Sequence, residues 1–410
     1  MNRTDAPGDC KKSLLCLYYP QQLLPGLAAV LSFRRSQGEG AAAPLTVLVW
    51  TPPATEQSVR KKRLQAFKVL LEDFAWACLY FPEQDEIKAH LSQNAKVLNK
   101  AGYLRKKFGQ DAFDAIYYAH DISADFIAQS AMQAFPNAKR ICFGDALGVV
   151  YSNDFFTGMT YPIGSAGNIL RWPGRVFRNM PYRFKRAWTL PSASRRLDAD
   201  YVIPILPCDP GGDFIEGKKL LLVDGDSLRH VQDSLSKAVE RHLTDEKCWA
   251  NGDTKIDFIM LLGSYSESRL TTEDQECALY VEVARLHVAP GSRIALKPHP
   301  LSSAEKVERI RRALSPDYDV EVAHYGELPI EAMPWLVEHS KVLSFSYSSV
   351  SLRYLYNSTV LHVLSDALIN KFFPGDTRQW MNESNKLYLD QLAIAGQLRN
   401  KQMDILKCQK

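Results

Sequence analysis

Two short segments combine residue types suited to holding an anion: Lys297-Pro298-His299-Pro300 and Ser346-Tyr347-Ser348-Ser349. Each closes an apolar run. Two prolines fix the backbone around His299, and a histidine held there can donate to a phosphate oxygen or protonate a leaving group. Lys297 adds a second cation. Ser348 and Ser349 precede a helical run through Val350, Leu352 and Leu355. A helix start of that kind offers backbone N–H groups and two hydroxyls to a single phosphate. The same residues would equally serve as a loop histidine bonded to a carbonyl and as a plain helix cap.

Other positions could complete a site. Glu331, in Leu328-Pro329-Ile330-Glu331, lies between the two segments. It can hold a ribose hydroxyl pair or simply favour a helix start. Asp145, in Gly144-Asp145-Ala146-Leu147-Gly148, follows the apolar run Ile141 to Phe143. Flanking glycines permit a sharp turn that leaves the carboxylate accessible, which makes Asp145 the best general-base candidate of the N-terminal half; a turn or helix cap is the other reading. Gly263-Ser264, after the run Ile256 to Leu262, would neighbour a bound nucleotide. Between Arg171 and Trp188, the cations Arg171, Arg175, Arg178, Arg183, Lys185 and Arg186 alternate with aromatic residues. Such a stretch can grip an anionic glycan or rest on an anionic membrane surface, or form a solvated loop with aromatic anchors. Asp224-Gly225-Asp226 resembles the first motif of haloacid-dehalogenase-type phosphatases and the DxD metal site of some glycosyltransferases. A turn and helix cap before Leu228 to Leu243 accounts for it, and no metal is expected.

These residues need elements to position them. A chain of 410 residues is too long for one ordinary core, and two domains are expected. With 46% apolar and 23% charged residues the composition is that of a soluble globular protein, and a net charge of +4 implies no nucleic-acid field. Eight cysteines are scattered without CxxC pairs, which fits a reduced, cytoplasmic compartment and not structural zinc. Residues 1–12 are polar, and the next apolar stretch is broken by Pro20 and Pro25, so neither a signal peptide nor a membrane span is read there. Strands are expected at Leu14 to Tyr19, Leu45 to Trp50, Ile116 to Tyr118, Ile141 to Phe143 and Tyr201 to Leu206. A long helix is expected from Ser58 to Phe81 and a surface loop from Val30 to Pro44. After the turn Ala250-Asn251-Gly252-Asp253 a second alternating series begins. Alternation of this kind indicates α/β architecture, here two doubly wound parallel sheets facing across a cleft, with ligands at the carboxyl ends of the strands. The expected domains are 1–245, 250–390 and a helical tail at 391–410.

The order Asp, His-Pro, Glu, Ser-Ser resembles the bacterial GT-B sialyltransferases, and in particular the α-2,8-polysialyltransferase-like group. That resemblance implies a GT-B fold with two Rossmann-like domains, an N-terminal acceptor domain carrying the base and a C-terminal donor domain. It implies an inverting, metal-independent transfer of sialic acid, or of a related acid such as Kdo or pseudaminic acid, from a CMP-sugar to a glycan hydroxyl. In it Asp145 matches the catalytic base, His299 the histidine that assists nucleotide departure, Ser348 and Ser349 the phosphate-binding pair, and Glu331 the ribose-binding glutamate. The family often has two adjacent acidic residues where this chain has Gly144 before Asp145. Implied partners are a CMP-activated acidic sugar and a glycan acceptor, including a lipid-linked one in capsule or lipopolysaccharide synthesis, with peripheral inner-membrane contact and no cofactor. An alternative of another class is a non-catalytic protein that binds anionic glycans or membranes through Arg171 to Trp188.

Overall fold

The computed structural model describes residues 13–39, 43–52, 55–92, 95–120, 125–144, 199–206, 219–245, 256–323, 326–356 and 359–408. They form two compact units that divide between Ala238 and Val239. Each unit is a Rossmann-like, doubly wound parallel sheet.

Unit 1 contains strands β1 (Ser13–Leu17), β2 (Leu45–Val49), β3 (Ala77–Tyr80), β4 (Ala115–Tyr118), β5 (Lys139–Cys142), β6 (Tyr201–Val202) and β7 (Lys219–Leu220), in the order β3-β2-β1-β4-β5-β6-β7. β1 and β2 are wholly buried and apolar except for Ser13 and Thr46, as expected of parallel strands covered on both faces. On one face Leu14, Leu48, Ile116 and Tyr118 pack with Leu104 of α3 (Val97–Phe108) and Ile127 of α4 (Phe126–Ala134). On the other, α1 (Leu23–Ser36) lies so close that a side chain at Gly26 would meet Leu15 at 3.0 Å. Helix α2 (Gln57–Leu70), the short helical segments Gln84–Glu86 and Ile87–Leu91, and α5 (Gly225–Asp245) up to Ala238 also belong to this unit.

Three expectations are corrected here. The helix expected from Ser58 to Phe81 ends at Leu70, and Ala77–Tyr80 pairs with β2 as a strand. Its apolar residues continue the helical spacing, but the amides of Glu72 and Phe74 turn back onto Val69 and Leu71. The surface loop expected from Val30 is the second half of a buried helix. Pro25 is the third residue of α1, where first-turn amides have no intrahelical partner, so it does not break the helix. Arg34 is 1% exposed there, with its guanidinium over the Trp76 ring and donating to the Pro44 carbonyl. The strand expected from Tyr201 to Leu206 is regular only over its first two residues, since Pro204 has no N–H for the ladder.

Unit 2 has strands β8 (Phe258–Leu261), β9 (Arg293–Lys297), β10 (Asp319–Val322), β11 (Lys341–Ser344) and β12 (Val360–His362), all parallel in the order β10-β9-β8-β11-β12. Its helices are α6 (Glu273–His287), α7 (Ala304–Leu314), α8 (Pro334–Glu338), α9 (Ser348–Leu355), α10 (Asp366–Phe372) and α11 (Gly375–Cys408). The core gathers Met260, Leu296 and Leu343 from the strands with Tyr280, Ile310 and Ile369 from the helices. Thr272, Ser303 and Ser365 cap α6, α7 and α10, each accepting the amide three residues on. Among the described residues no helix is long and apolar enough to cross a membrane.

Candidate functional site

In unit 2 the chain steps outward from β8 through β9 to β10 on one side, then returns to place β11 and β12 on the other. The reversal falls between β8 and β11, the place where open α/β sheets bind ligands. Strand register sets one row across the carboxyl edge there: Lys297 beside Leu261, Leu261 beside Ser344, and Ser344 beside His362. The loops two residues beyond that row carry His299, Gly263 and Ser346. An open hollow at the opposite, amino-terminal edge, lined by Asp257, Ser292, His339 and Lys341, has no comparable convergence.

Lys297 ends β9 and is buried. Its ammonium donates to the carbonyl of Gly326 at 3.2 Å, and it takes part in no ion pair among the described residues. Burial pushes its pKa down to about 8, with Glu331 and Glu327 pulling the other way. His299 is half-buried, and its Nδ1 accepts the amide of Leu301 at 3.2 Å. That bond leaves the proton of the neutral ring on Nε2, the donor needed for an anionic oxygen. Glu331 sits on a short 3-10 turn, and its Oε1 accepts the Ser351 hydroxyl at 2.6 Å while its carbonyl accepts Tyr356. Part of its carboxylate is thus committed to holding the first turns of α9.

The two serines of the expected phosphate pair do different things. They are the first two residues of α9, about 100° apart around the helix. Ser348 is half-buried at the helix start. Ser349 is fully buried, with Oγ 2.9 Å from the Ser346 carbonyl and 3.0 Å from Nδ1 of His362. His362 Nε2 lies 2.6 Å from Oδ1 of Asn385 on α11, and burial lowers the pKa of its ring. Ser349 therefore anchors the helix start from within. Tyr347 is the N-cap and makes no side-chain cap bond.

A buried ionic knot that sequence reasoning missed sets the loop after β8. Glu276, on α6 and 0% exposed, accepts Lys306 of α7 at 2.7 Å, the Tyr280 hydroxyl at 2.8 Å, and the amides of Tyr265 and Ser266. Lys306, 1% exposed, also pairs with Glu267 at 2.8 Å. Burial alone would push the Glu276 carboxyl up, but the hydrogen bonds of Lys306 and Ser266 and the lysine charge outweigh it and hold the group below the usual range. The Tyr280 hydroxyl accepts the Gly263 amide, and Tyr265 donates to the Phe345 carbonyl at 2.7 Å, tying the two loops of the switch point together. Ser264 rides, half-buried, on this loop. An added Cβ at Gly263 would meet the Tyr265 ring at 3.1 Å. Gly263→Ala is expected to cost about 1–3 kcal/mol of stability, read by denaturant unfolding, by displacing that ring.

Asp145 and the cationic stretch Arg171, Arg175, Arg178, Arg183, Lys185 and Arg186 lie outside the described residues. Asp224 is a helix cap: its carboxylate accepts the amide and hydroxyl of Ser227 and pairs with Arg35 at 2.7 Å. Among the described residues no cluster of three His, Cys, Asp or Glu could hold a metal ion, and Cys16, Cys78, Cys142 and Cys277 are free thiols.

No protein-family model matches the chain, and no curated protein matches it significantly. Among solved structures it is similar to the UDP-GlcNAc 2-epimerase of Neisseria meningitidis bound to UDP-GlcNAc, at 12% identity over 94% of this chain and 93% of that one, with a TM-score of 0.45. A second is MnaA of S. aureus in complex with UDP, at 12% identity over 95% and 91%, TM-score 0.44. A third is a 2,6-sialyltransferase of Vibrionaceae Photobacterium sp. in a ternary complex with CMP and lactose, at 9% identity over 93% and 76%, TM-score 0.37. Similarity of this size assigns no substrate and no residue.

Proposed function

We propose that the chain is an inverting glycosyltransferase that moves sialic acid, or a related acid such as Kdo or pseudaminic acid, from a CMP-sugar to a glycan hydroxyl. The observation that carries the donor half is Lys297: a buried ammonium that makes no salt bridge among the described residues and feels only the more distant Glu331 and Glu327, beside the switch point of a Rossmann-like sheet. A single phosphate supplies a direct counter-charge. His299 Nε2–H donates to the departing phosphate oxygen, Ser348 and the start of α9 add donors, and Ser264 lies beside the nucleotide. Glu331 offers its second carboxylate oxygen to the ribose, and Ser349 acts from behind by fixing α9. Asp145 removes the proton of the acceptor hydroxyl as its oxygen attacks the anomeric carbon and the bond to the phosphate oxygen breaks. The cations of Arg171 to Arg186 receive an anionic glycan or the membrane surface that carries it.

The test is thermal unfolding of the full chain with CMP, CDP, UDP and ADP. CMP at a hundredfold over its Kd should stabilise by about 2.7 kcal/mol, and the others by less. Equal shifts with all four, or none with CMP, would remove the CMP-sugar reading.

A further inference from the structure

Unit 1 carries a concentration of positive charge that the donor chemistry does not use. Between Glu86 and Asp111 the chain has no acidic residue, and the cations Lys88, Lys96, Lys100, Arg105, Lys106 and Lys107 fall there. With 50 basic and 46 acidic residues the whole chain is nearly balanced, so this run is a local excess. Lys100 is buried over the Phe126 ring, and the half-buried Lys107 pairs with Glu86 at 3.3 Å. Lys88, Lys96, Arg105 and Lys106 are exposed, and none of them makes an ion pair among the described residues. Helix α3 buries Val97, Lys100, Ala101, Leu104 and Phe108. At about 100° per residue, its opposite face carries Leu98, Asn99, Gly102 and Lys106, with Arg105 at its side. That face is open: Leu98 is 57% exposed, and a Cβ added at Gly102, one turn on, would meet nothing within 4 Å. The segment Ile87–Leu91 is fastened alongside, since the His90 ring stacks on Tyr103 at 4.7 Å and the Tyr103 hydroxyl donates to Glu86 at 2.8 Å. Lys88 and His90 ride on it, exposed.

We propose that this face of unit 1 docks on an anionic phospholipid membrane. The exposed cations meet the phosphate headgroups, and Leu98 enters the boundary of the acyl chains. The 12 residues of α3 span about 18 Å, well short of a hydrocarbon core of about 30 Å, so the helix lies along the surface. Leu98 is what selects a bilayer over a soluble polyanion. A polyanion pairs with the same cations but gains nothing from an exposed leucine among them. The surface uses none of the donor residues and none of Arg171 to Arg186, and it stands independently of the CMP-sugar reading.

The test is co-sedimentation of the full chain with vesicles of phosphatidylcholine alone and of an equal mixture of phosphatidylcholine and phosphatidylglycerol. The mixed vesicles should bind the chain and the neutral ones should not. Lys88→Gln, Lys96→Gln, Arg105→Gln and Lys106→Gln together should weaken that binding at least about tenfold. All four side chains are exposed, so the quadruple variant should keep its thermal unfolding midpoint. Leu98→Ser leaves the charge unchanged; it should weaken vesicle binding at least about threefold and leave heparin binding as it was. Gly102→Trp should tighten vesicle binding by adding a second apolar group to the open face. The proposal falls if the unaltered chain ignores the mixed vesicles or binds the neutral ones as well, or if the quadruple variant loses less than about tenfold, which would move the contact to other cations such as Arg171, Arg175 and Arg178. It also falls if Leu98→Ser binds vesicles as tightly as the unaltered chain, the mark of a polyanion site. A chain that ignores CMP yet docks on vesicles loses only the donor reading; one that answers CMP and ignores the vesicles loses only this one.

Discussion

Replacing Lys306 by methionine should destabilise the protein by about 3–5 kcal/mol, because it strands the Glu276 carboxylate in the interior without its cation. Denaturant unfolding reads the loss directly. Lys306→Met combined with Glu276→Gln should recover part of it, since the fully buried carboxylate is then neutral and only the partly exposed Glu267 is left without its cation. The amides of Tyr265 and Ser266 also lose their acceptor when Glu276 is disturbed, so nucleotide affinity should fall although neither residue is assigned a contact. The pH dependence has a defined sign. Glu276 is held below its ordinary pKa, so its contribution is complete above the unfolded value near ~4.3 and is lost as pH falls through the folded value. Acid unfolding of the wild type should show this arm, and the Glu276→Gln variant should lack it.

Lys297→Met should weaken CMP binding by about 10- to 150-fold, corresponding to about 1.5–3 kcal/mol for a hydrogen bond to a charged group. It should not lower stability. A lysine held at about 8 instead of ~10.4 carries a charged-burial cost below pH ~8, and methionine removes it. Binding and stability thus move in different directions, which separates a ligand role from a structural one. Affinity should also vary with pH in one window. CMP is a dianion above its second phosphate pKa near ~6, so between pH ~7 and 9.5 the lysine is the titrating partner. Affinity should be level to about pH 8 and then fall by up to about tenfold per unit as Lys297 loses its proton. Isothermal titration across that range checks it, and a flat profile in the wild type would assign the binding to other groups.

Much of unit 2 was legible because its strands are short apolar runs ended by polar residues. β9 stops at Lys297 and β11 at Ser344, each within a residue of where the apolar pattern breaks. Unit 1 was harder. The Phe74 to Tyr80 run keeps a helical spacing through a turn, and the buried face of α1 was masked by Pro25, Arg34 and Arg35, residues usually read as punctuation or surface. Adjacent serines look interchangeable in a string, but helix geometry turns Ser349 inward and leaves Ser348 at the rim. The Glu276 knot was illegible for another reason. Its partners come from α7, α6 and the loop after β8, and nothing local marks Lys306 as buried. The hydrogen-bonded Tyr18 and Asp125 are likewise 107 positions apart, joined only by the order of the strands.

The bond between His362 and Asn385 also bears on the order in which the protein is made. Asn385 lies on α11, whose Tyr388 stands edge-on to both Tyr347 and His362, so the helix that braces the start of α9 is translated well after every strand of the sheet. A growing chain can pair β8 through β12 while Ser349 still lacks its fixed histidine. Competence to hold a phosphate should therefore appear late, when α11 docks, and a nascent chain halted before Asn385 should have a folded sheet with a poorly seated anion site.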